Sequence, residues 1–333
     1  RDVAVTGVQT CALPISGLLR ALLSDPSTAV AEGRRELTLR RGNGAPFPAE
    51  VAVFADPADP RLVVLVITDV SRRVQSRDEL ERRVLARTAE LEALNLELAR
   101  IRDAVREPML GHIRLQWWRE AVAEARAGKP RDHHVLAGVE SAVPPEALVA
   151  DALVAEMIDA REAEFEPQGL SLDQFRAYVS GTSGALAEAM AAVAGADEKV
   201  RAAARCIGTA FGLVGVLRAT RFHARQGRVL LPNDLLDRSG TSTAAVKELR
   251  PEAGLVRAAE CIAEMAQEEL AAARACRNAI PRGQRPALLL APLTDAYLRR
   301  LRGAGFDLLT SDVSLTPLRK QLAVGWAALR GSF

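Results

Sequence analysis

Apolar residues alternate with polar ones in the first part of the chain. Partial alternation runs from Glu36 to Arg41 and again from Phe47 to Phe54, a spacing typical of strands that bury one face. Gly42-Asn43-Gly44 lies between the two segments and predicts a hairpin turn. The apolar run from Leu62 to Ile67 predicts a third strand. A small sheet is therefore expected within residues 17–72.

A strongly charged segment, residues 73–102, follows the expected sheet. Its apolar positions step by four and three residues, which predicts a helix with a short heptad stripe. Arg87 occupies one position of that stripe, so a single amphipathic linker helix and a dimeric coiled coil fit equally well. The stripe consists of Leu80, Val84, Arg87, Leu91, Leu94, Leu98 and Ile101.

From about residue 95 to residue 333 the apolar positions keep helical spacing, and Ala, Leu, Glu and Arg dominate. Glycine and proline interrupt the pattern at intervals, for example at Pro144-Pro145, Pro251 and Gly303. This spacing predicts roughly eight to ten helices of ordinary length. The expected fold class is therefore mainly α: a helical bundle preceded by a small N-terminal sheet and a linking helix.

The charge balance argues against a nucleic-acid partner. Lysine and arginine total 44 against 42 acidic residues, so the net charge is +2 and acids balance the basic side chains. The longest uninterrupted apolar runs, Leu62 to Ile67 and Ala287 to Leu293, are shorter than the ~18 residues that a membrane-spanning helix needs. Peripheral contact with a membrane stays open.

The cysteines and the first residues bear on location. Cys11, Cys206, Cys261 and Cys276 have no spacing typical of a zinc site or a redox pair, so we expect buried free thiols in a reducing compartment. Residues 1–16 lack the successive basic, apolar and small-residue regions of a secretory signal. The expected location is the cytoplasm, with a peripheral position at a bacterial inner membrane as a further expectation.

The N-terminal segments carry a resemblance of their own. RRGNGAPFPAEVAVF and VVLVITDVSRR resemble the C-terminal half of a PAS domain, and RVLARTAELEALNLELA resembles the signalling helix that follows such domains. No haem or flavin ligand pattern is visible, so we expect no cofactor here. Val5 to Ile15 resembles translated sequencing adaptor, and residues 1–16 are expected to be artefact-like or disordered. Together with the ambiguous junction at Leu94 to Arg100, this favours an assembly chimera over the alternative, an evolved PAS-regulated fusion.

Five segments of the helical part follow one another with the separations of a known family. They are LNLELARIRDAVREPMLGHIRLQWWREAV, MIDAREAEF, YVSGTSGAL, CIGTAFGLVGVLRATRFHARQGRVLLPNDLL and GFDLLTSDVSLTPLRKQLAVGWAAL. In this order they resemble the squalene/phytoene synthase superfamily. The last segment resembles its catalytically degenerate branch, which is related to the mitochondrial complex I assembly factor. The resemblance implies an isoprenoid-synthase-like bundle over residues 95–333.

Active members of the superfamily join two prenyl diphosphates head to head, using two aspartate-rich motifs that hold Mg²⁺. By resemblance, the first motif corresponds to Ala99 to Asp103 and the second to Ala219 to His223. Alanine has no ligand atom, and histidine prefers softer metals than magnesium. Asp103 is then the one remaining metal-ligand candidate. These four vestigial positions (Ala99, Asp103, Ala219, His223) imply that no cofactor is bound; Mg²⁺ is expected only if the protein is an active synthase.

Basic residues are retained beside the second motif. Arg218, Arg221, Arg225 and Arg228 are spaced by three, four and three residues, which predicts one helical face. Such a face can hold a diphosphate or a lipid phosphate through forked hydrogen bonds; a solvated face paired with acids is the alternative. We expect these arginines to border a groove. Its expected lining includes Leu186, Met190, Phe211 and Val214, and Asp159 and Glu164 match acidic family positions.

Three functions fit these observations. The leading hypothesis is a non-catalytic factor that binds an isoprenoid, a phospholipid-like ligand or a partner protein during assembly of respiratory complex I. An active Mg²⁺-dependent prenyl-diphosphate synthase with altered ligands is the first alternative. A signalling protein regulated by its PAS half is the second.

Overall fold

The computed structural model describes residues 35–41, 43–55, 63–142, 148–330 and 333. The chain divides into two compact units, with the boundary between Arg83 and Val84. Predictions that concern residues 1–34, among them the adaptor-like segment and Cys11, lie outside the described residues.

The first unit contains the predicted small sheet. Its strands are β1 (Arg35–Arg40), β2 (Pro46–Ala55) and β3 (Val63–Asp69), and they form an antiparallel sheet in that order. The turn between β1 and β2 includes Gly44 at a φ of +83°, a backbone region that favours glycine. A small core lies on one face of the sheet and consists of Leu39, Phe47, Ala49 and Val51. The three strands are confirmed, whereas their relation to a PAS domain stays a prediction.

A single 34-residue helix, α1 (Ser71–Ala104), follows β3. The helical stripe predicted for this segment is buried only in its second half, where Leu91, Leu94 and Leu98 are inaccessible to solvent. Leu80, in the first half, is 61% exposed. The helical core therefore takes in α1 from Leu91 onward, a few residues before the expected start of the bundle at about residue 95. The coiled coil stays a prediction.

Further helices complete the second unit, which confirms the expected mainly α class. Three helices carry the argument below: α7 (Glu198–Arg225), α11 (Leu290–Gly303) and α12 (Pro317–Arg330). The others are α2 (Pro108–Arg126), α3 (His134–Ala142), α4 (Leu148–Ala160), α5 (Leu172–Val179), α6 (Ala185–Val193), α8 (Asn233–Arg238), α9 (Thr243–Lys247) and α10 (Ala253–Ala275). Shorter turns of 3₁₀ or π type occupy Arg161–Phe165, Ser180–Gly184, Arg277–Ala279 and Arg282–Leu288.

Helix α7 is the centre of the larger hydrophobic core, which it forms with α10 and α11. The second half of α1 packs with α2, α4 and α6 in a separate core. Within the described residues, α7 is also the one helix long and apolar enough to cross a membrane. Because 67% of its most apolar stretch is buried against the rest of the bundle, burial in the core explains that composition. The longest unbroken apolar runs in the sequence do not identify this helix.

Small residues allow α7 to approach the π turn Ser180–Gly184 closely. A Cβ atom added at Gly208 would lie 2.5 Å from the carbonyl oxygen of Ser183, and one at Gly184 would lie 2.5 Å from Oγ1 of Thr209. Real side chains do not tolerate such distances. The glycines of this turn therefore accommodate a neighbouring helix.

The thiols differ from the expectation of uniform burial. Cys206 and Cys261 are half-buried, but Cys276 is exposed because it lies just past the last residue of α10. Burial, and then the nearby Glu269 carboxylate, raises the pKa of the Cys206 thiol to about 11. Cys206 is therefore almost wholly protonated at neutral pH.

Candidate functional site

The positions predicted to be vestigial motifs lie near the C-terminal ends of α1 and α7. Ala99 and Asp103 are on α1, and Ala219 and His223 are on α7. The Arg228 guanidinium, five residues after the second motif, donates to the Asp103 carboxylate at 2.5 Å. Asp103 also interacts electrostatically with His223. The structure therefore places Asp103 close to the end of α7 and the residues that follow it.

Arg228 reaches Asp103 because the chain turns sharply after α7. The helix ends at Arg225, and Gly227 adopts a φ of +72°, which is the left-handed conformation typical of a helix C-terminus. The N–H of Gly227 donates to the carbonyl oxygen of Ala224, and that of Arg228 to the carbonyl oxygen of His223, both at 2.9 Å. Arg228 therefore lies beyond the helix. The predicted single helical face is corrected for this residue.

The other three arginines lie on a different side of α7 from the motif. At about 100° per residue, Arg218, Arg221 and Arg225 fall within one arc, roughly 140° around the helix from Ala219 and His223. The Arg218 guanidinium lies over the ring of Tyr297 on α11, 3.7 Å from its centroid. Of the four arginines that were expected to border a groove, Arg228 is the one with a contact to a motif residue, Asp103, in the described part of the chain.

A buried polar cluster lies behind these positions. The Arg161 guanidinium donates to Glu164 at 2.5 Å and to the Asn95 side chain at 2.9 Å, and the Tyr178 hydroxyl donates to Glu164 at 2.7 Å. The side chains of Arg161 and Glu164 are only 10% and 7% exposed. We call Asn95, Arg161, Glu164 and Tyr178 the inner cluster. It joins α1, α5 and the 3₁₀ turn after α4.

The inner cluster balances its own charge. Burial, and then the Glu164 carboxylate, raises the pKa of Tyr178 far above its usual range, so the hydroxyl stays protonated and acts as a donor. Burial alone would lower the pKa of Arg161, but the Glu164 carboxylate outweighs it, and the pKa of Arg161 is raised. A buried ion pair with these extra hydrogen bonds costs little to maintain and much to break.

His223 interacts electrostatically with Glu164 of the inner cluster and with the ion pair of Asp103 and Arg228. Burial, and then the positive charge of Arg228, lowers its pKa, while Asp103 and Glu164 act in the opposite direction. Its Nδ1 atom is buried and has no hydrogen-bond partner in the structure. His223 is therefore an uncharged imidazole at neutral pH.

The residues at the two motifs do not fit a magnesium site. Ala99 and Ala219 offer no oxygen, His223 offers nitrogen, and Asp103 already accepts from Arg228. No group of three histidine, cysteine or acidic side chains in the described part of the chain is placed to hold a metal ion.

Asp159 and Glu164 have separate environments. Asp159 is 61% exposed and pairs with Arg119 at 2.6 Å, so it is a surface charge. Glu164 is the centre of the inner cluster. Sequence reasoning named Glu164 but missed Asn95, Arg161 and Tyr178. Tyr178 begins one of the family segments, and the three-residue spacing of Arg161 and Glu164 was the other available signal.

The expected groove lining is dispersed. Val214 is fully buried, Phe211 packs against the larger core, and Leu186 and Met190 pack against the other core. Three clefts lie elsewhere: between α11 and α12, between α1 and α2, and between the α5 region and α10. None of these three is lined by Arg218, Arg221, Arg225 or Arg228.

Comparison with known protein families shows to which family this chain belongs. The family model described as squalene/phytoene synthase matches residues 73–319. The chain belongs to the squalene/phytoene synthase family. The match begins at residue 73, so the segment predicted to be a linker lies within the matched region of this family member. Residues 1–72 lie outside it.

Curated relatives carry one recurring description. The chain is 30% identical over 220 residues to NADH dehydrogenase (ubiquinone) complex I, assembly factor 6, of Mus musculus, covering 66% of each chain. The protein of the same description from Homo sapiens is 27% identical over 220 residues, with the same coverage. The chain therefore spans slightly less than two-thirds of the length of these relatives.

Solved structures share the fold. A dehydrosqualene synthase in complex with a ligand superposes with a TM-score of 0.60 at 17% identity, covering 75% of this chain and 87% of that chain. A squalene synthase from Alicyclobacillus acidocaldarius gives 0.56 at 15% identity, covering 65% and 82%. These likenesses confirm the isoprenoid-synthase-like helical fold predicted from the sequence.

Proposed function

We propose that this protein is a non-catalytic member of its family that serves in assembly of respiratory complex I by binding a lipid-like ligand or a partner protein. The relatives described as complex I assembly factor 6 support the assembly role. The observation that carries the non-catalytic part is the ion pair between Asp103 and Arg228. It engages the one carboxylate left at the two motifs.

Catalysis at this site would require the site to stabilise the charge that develops in the transition state. Ionisation of a prenyl diphosphate places negative charge on the leaving group, which Mg²⁺ held by several carboxylates would stabilise. Arg228 and Arg161 supply positive charge, but both are already paired with Asp103 and Glu164. Binding a diphosphate equally well before and during ionisation does not accelerate the reaction.

The ligand in this proposal is an isoprenoid or a phospholipid, and the partner is a protein of respiratory-complex assembly. No cofactor and no nucleic acid takes part. A cytoplasmic protein in peripheral contact with the inner membrane fits this role. The alternative of an active Mg²⁺-dependent synthase remains the competing enzyme hypothesis, and PAS-regulated signalling the competing non-enzyme one.

The first test is pyrophosphate release by the full chain with farnesyl or geranylgeranyl diphosphate and Mg²⁺. We expect no release above the rate of an Asp103→Ala variant. Circular dichroism must show the same helical spectrum for both proteins. Robust Mg²⁺-dependent release that Asp103→Ala abolishes would instead establish the synthase alternative.

The second test concerns assembly. A source organism lacking the gene should accumulate less complete complex I on native gels, and the full chain should restore it. Restoration by an Asp103→Ala variant is also expected because no catalysis is proposed. Normal complex I without the gene would contradict the assembly role.

A further inference from the structure

Helix α12 presents its largest apolar side chains to solvent. Leu318, Leu322, Trp326 and Leu329 are 64%, 61%, 60% and 84% exposed. They are spaced by four, four and three residues, so they occupy one stripe about 80° wide along the helix. A contiguous exposed apolar stripe of this kind is a mark of an interaction surface.

The opposite side of α12 packs against the bundle through smaller residues. Ala327 is 7% exposed, and Ala323 and Val324 are half-buried. A surface helix of a globular protein ordinarily turns its large apolar residues towards the core. Here the largest apolar residues, three leucines and one tryptophan, lie along the exposed stripe, while two alanines and a valine occupy the less exposed side. Packing among the residues that the structure describes does not explain the stripe.

Basic residues flank the stripe on the side that faces α11. Arg319 and Arg330 of α12 and Arg299 and Arg300 of α11 line a cleft of about 700 Å³ between the two helices. The same cleft is lined by Leu322 and Trp326, so the apolar stripe and the arginines form one surface. The Arg330 guanidinium lies 4.3 Å from the centroid of the Trp326 ring.

Among the described residues, the positive charge of this surface is only partly balanced: Arg300 donates to the Asp312 backbone carbonyl and lies near the Asp312 carboxylate. The sequence of α12 contains no acidic residue. The one acidic residue that lines the cleft, Asp295, pairs with Arg274 of α10 at 2.5 Å. A second copy of the chain would bring like charge against like charge, which disfavours self-association through this surface.

We propose that α12 docks this protein on the surface of a bilayer that contains anionic phospholipids. The stripe of Leu318, Leu322, Trp326 and Leu329 enters the boundary between headgroups and acyl chains, where indole rings are favoured. The flanking arginines contact lipid phosphates, since guanidinium groups bind phosphate through forked hydrogen bonds. Charge complementarity selects an anionic membrane over a neutral one.

Membrane docking through α12 deepens the proposed function and rests on it only for the expectation that assembly takes place at a membrane. Experiments can contradict membrane docking and the non-catalytic function separately. A catalytically silent protein that ignores vesicles would overturn the membrane assignment alone. Pyrophosphate release by a protein that binds vesicles would overturn the non-catalytic function alone.

The experiment is sedimentation of the full chain with vesicles of phosphatidylcholine, with and without phosphatidylglycerol at about one-third of the lipid. We expect binding to the anionic vesicles that weakens steeply with salt, and a blue shift of tryptophan fluorescence that is smaller in Trp326→Phe. Equal binding to both vesicle types, or none by the folded protein, would overturn the proposal.

Variants assign the binding to α12. Arg319→Gln and Arg330→Gln should each weaken binding about fivefold, and Leu322→Asp about tenfold or more. Leu80→Asp is the matched apolar control because Leu80 is also 61% exposed, and Arg238→Gln is the matched charge control. Unchanged binding by the α12 variants would overturn the assignment. So would a vesicle-independent dimer, seen by light scattering, that Leu322→Asp dissociates.

Discussion

The inner cluster and the surface of α12 both contain arginine, but in the inner cluster its charge is buried and paired, whereas on α12 it is exposed. In the inner cluster, Arg161 is buried and donates to Glu164 and Asn95, and the Tyr178 hydroxyl donates a further hydrogen bond to Glu164. On α12, Arg319 and Arg330 lie on an exposed helix that has no acidic residue.

The difference separates a structural role from a binding role. A buried charge must be compensated because water no longer solvates it, so the inner cluster joins three elements of the bundle and leaves little charge free for a ligand. An exposed charge is solvated and needs no partner within the chain. The arginines of α12 therefore remain available to an external anion.

The largest expected effect concerns the buried ion pair. Glu164→Gln removes the negative charge and leaves Arg161 buried without a counter-charge, so the free energy of unfolding should fall by about 3 kcal/mol. Urea denaturation measures the change. Asp159→Asn, which removes the exposed partner of Arg119, should cost less than about 1 kcal/mol. Equal costs for the two variants would erase the distinction between buried and exposed charge.

The next effect tests the hydroxyl of the inner cluster. Tyr178→Phe removes one donor to Glu164 but keeps the ring and leaves the Arg161 ion pair in place. We expect a loss of about 1–2 kcal/mol in the free energy of unfolding, again by urea denaturation. A loss as large as that of Glu164→Gln would mean that the hydroxyl, and not the ion pair, holds the cluster together.

A smaller effect should appear as a pH dependence. The pKa of His223 is lowered from its ordinary value of 6.5 by burial and by Arg228, against Asp103 and Glu164. The unfolded chain therefore binds more protons than the folded chain below about pH 6.5, and the free energy of unfolding should fall as the pH drops through that value.

Comparison of urea midpoints at pH 7.5 and pH 5.5 measures this loss. The His223→Asn variant should show a flatter profile because it cannot take up the proton. The control is His133→Asn, since His133 packs against Trp118 of α2, outside the motif region. Parallel profiles for His223→Asn and the unaltered chain would mean that this imidazole does not titrate differently on folding.

The smallest effect is expected on α12. Leu322→Asp replaces an exposed side chain and should change the free energy of unfolding by no more than about 0.5 kcal/mol. Thermal unfolding of the full chain checks this. A large loss would show that the stripe packs within the chain, and the contrast between the inner cluster and the α12 surface would then disappear.

Much of the fold followed from spacing along the chain. The positions of Leu91, Leu94 and Leu98 predicted a helix with one apolar face, and alternation before residue 70 predicted the sheet. Such patterns depend on 3.6-residue and two-residue periodicity, which is a local property. Local spacing did not reveal that the same stripe would be exposed at Leu80 and buried from Leu91, because a neighbouring helix decides that.

Part of the candidate site was likewise fixed by residue type. The side chains of Ala99 and Ala219 have no ligand atoms in any conformation, so the sequence alone rules out a carboxylate ligand for magnesium at either position. The sequence could not separate Glu164 from Asp159, which both match acidic family positions. One is buried against Arg161 and Tyr178 and the other is exposed, and this difference arises from the packing of three elements.

The sequence by itself therefore determined the helical class and the family resemblance, and it predicted the loss of the acidic motifs. Only the tertiary structure decided which charges meet. Arg228 and Asp103 are 125 residues apart, and they pair because the chain reverses at Gly227 after α7. Only the packing of α12 on α11 decided that Leu322 and Trp326 remain largely exposed at the edge of the cleft. Periodicity specifies that a helix has an apolar side, but contacts between distant segments determine what that side meets.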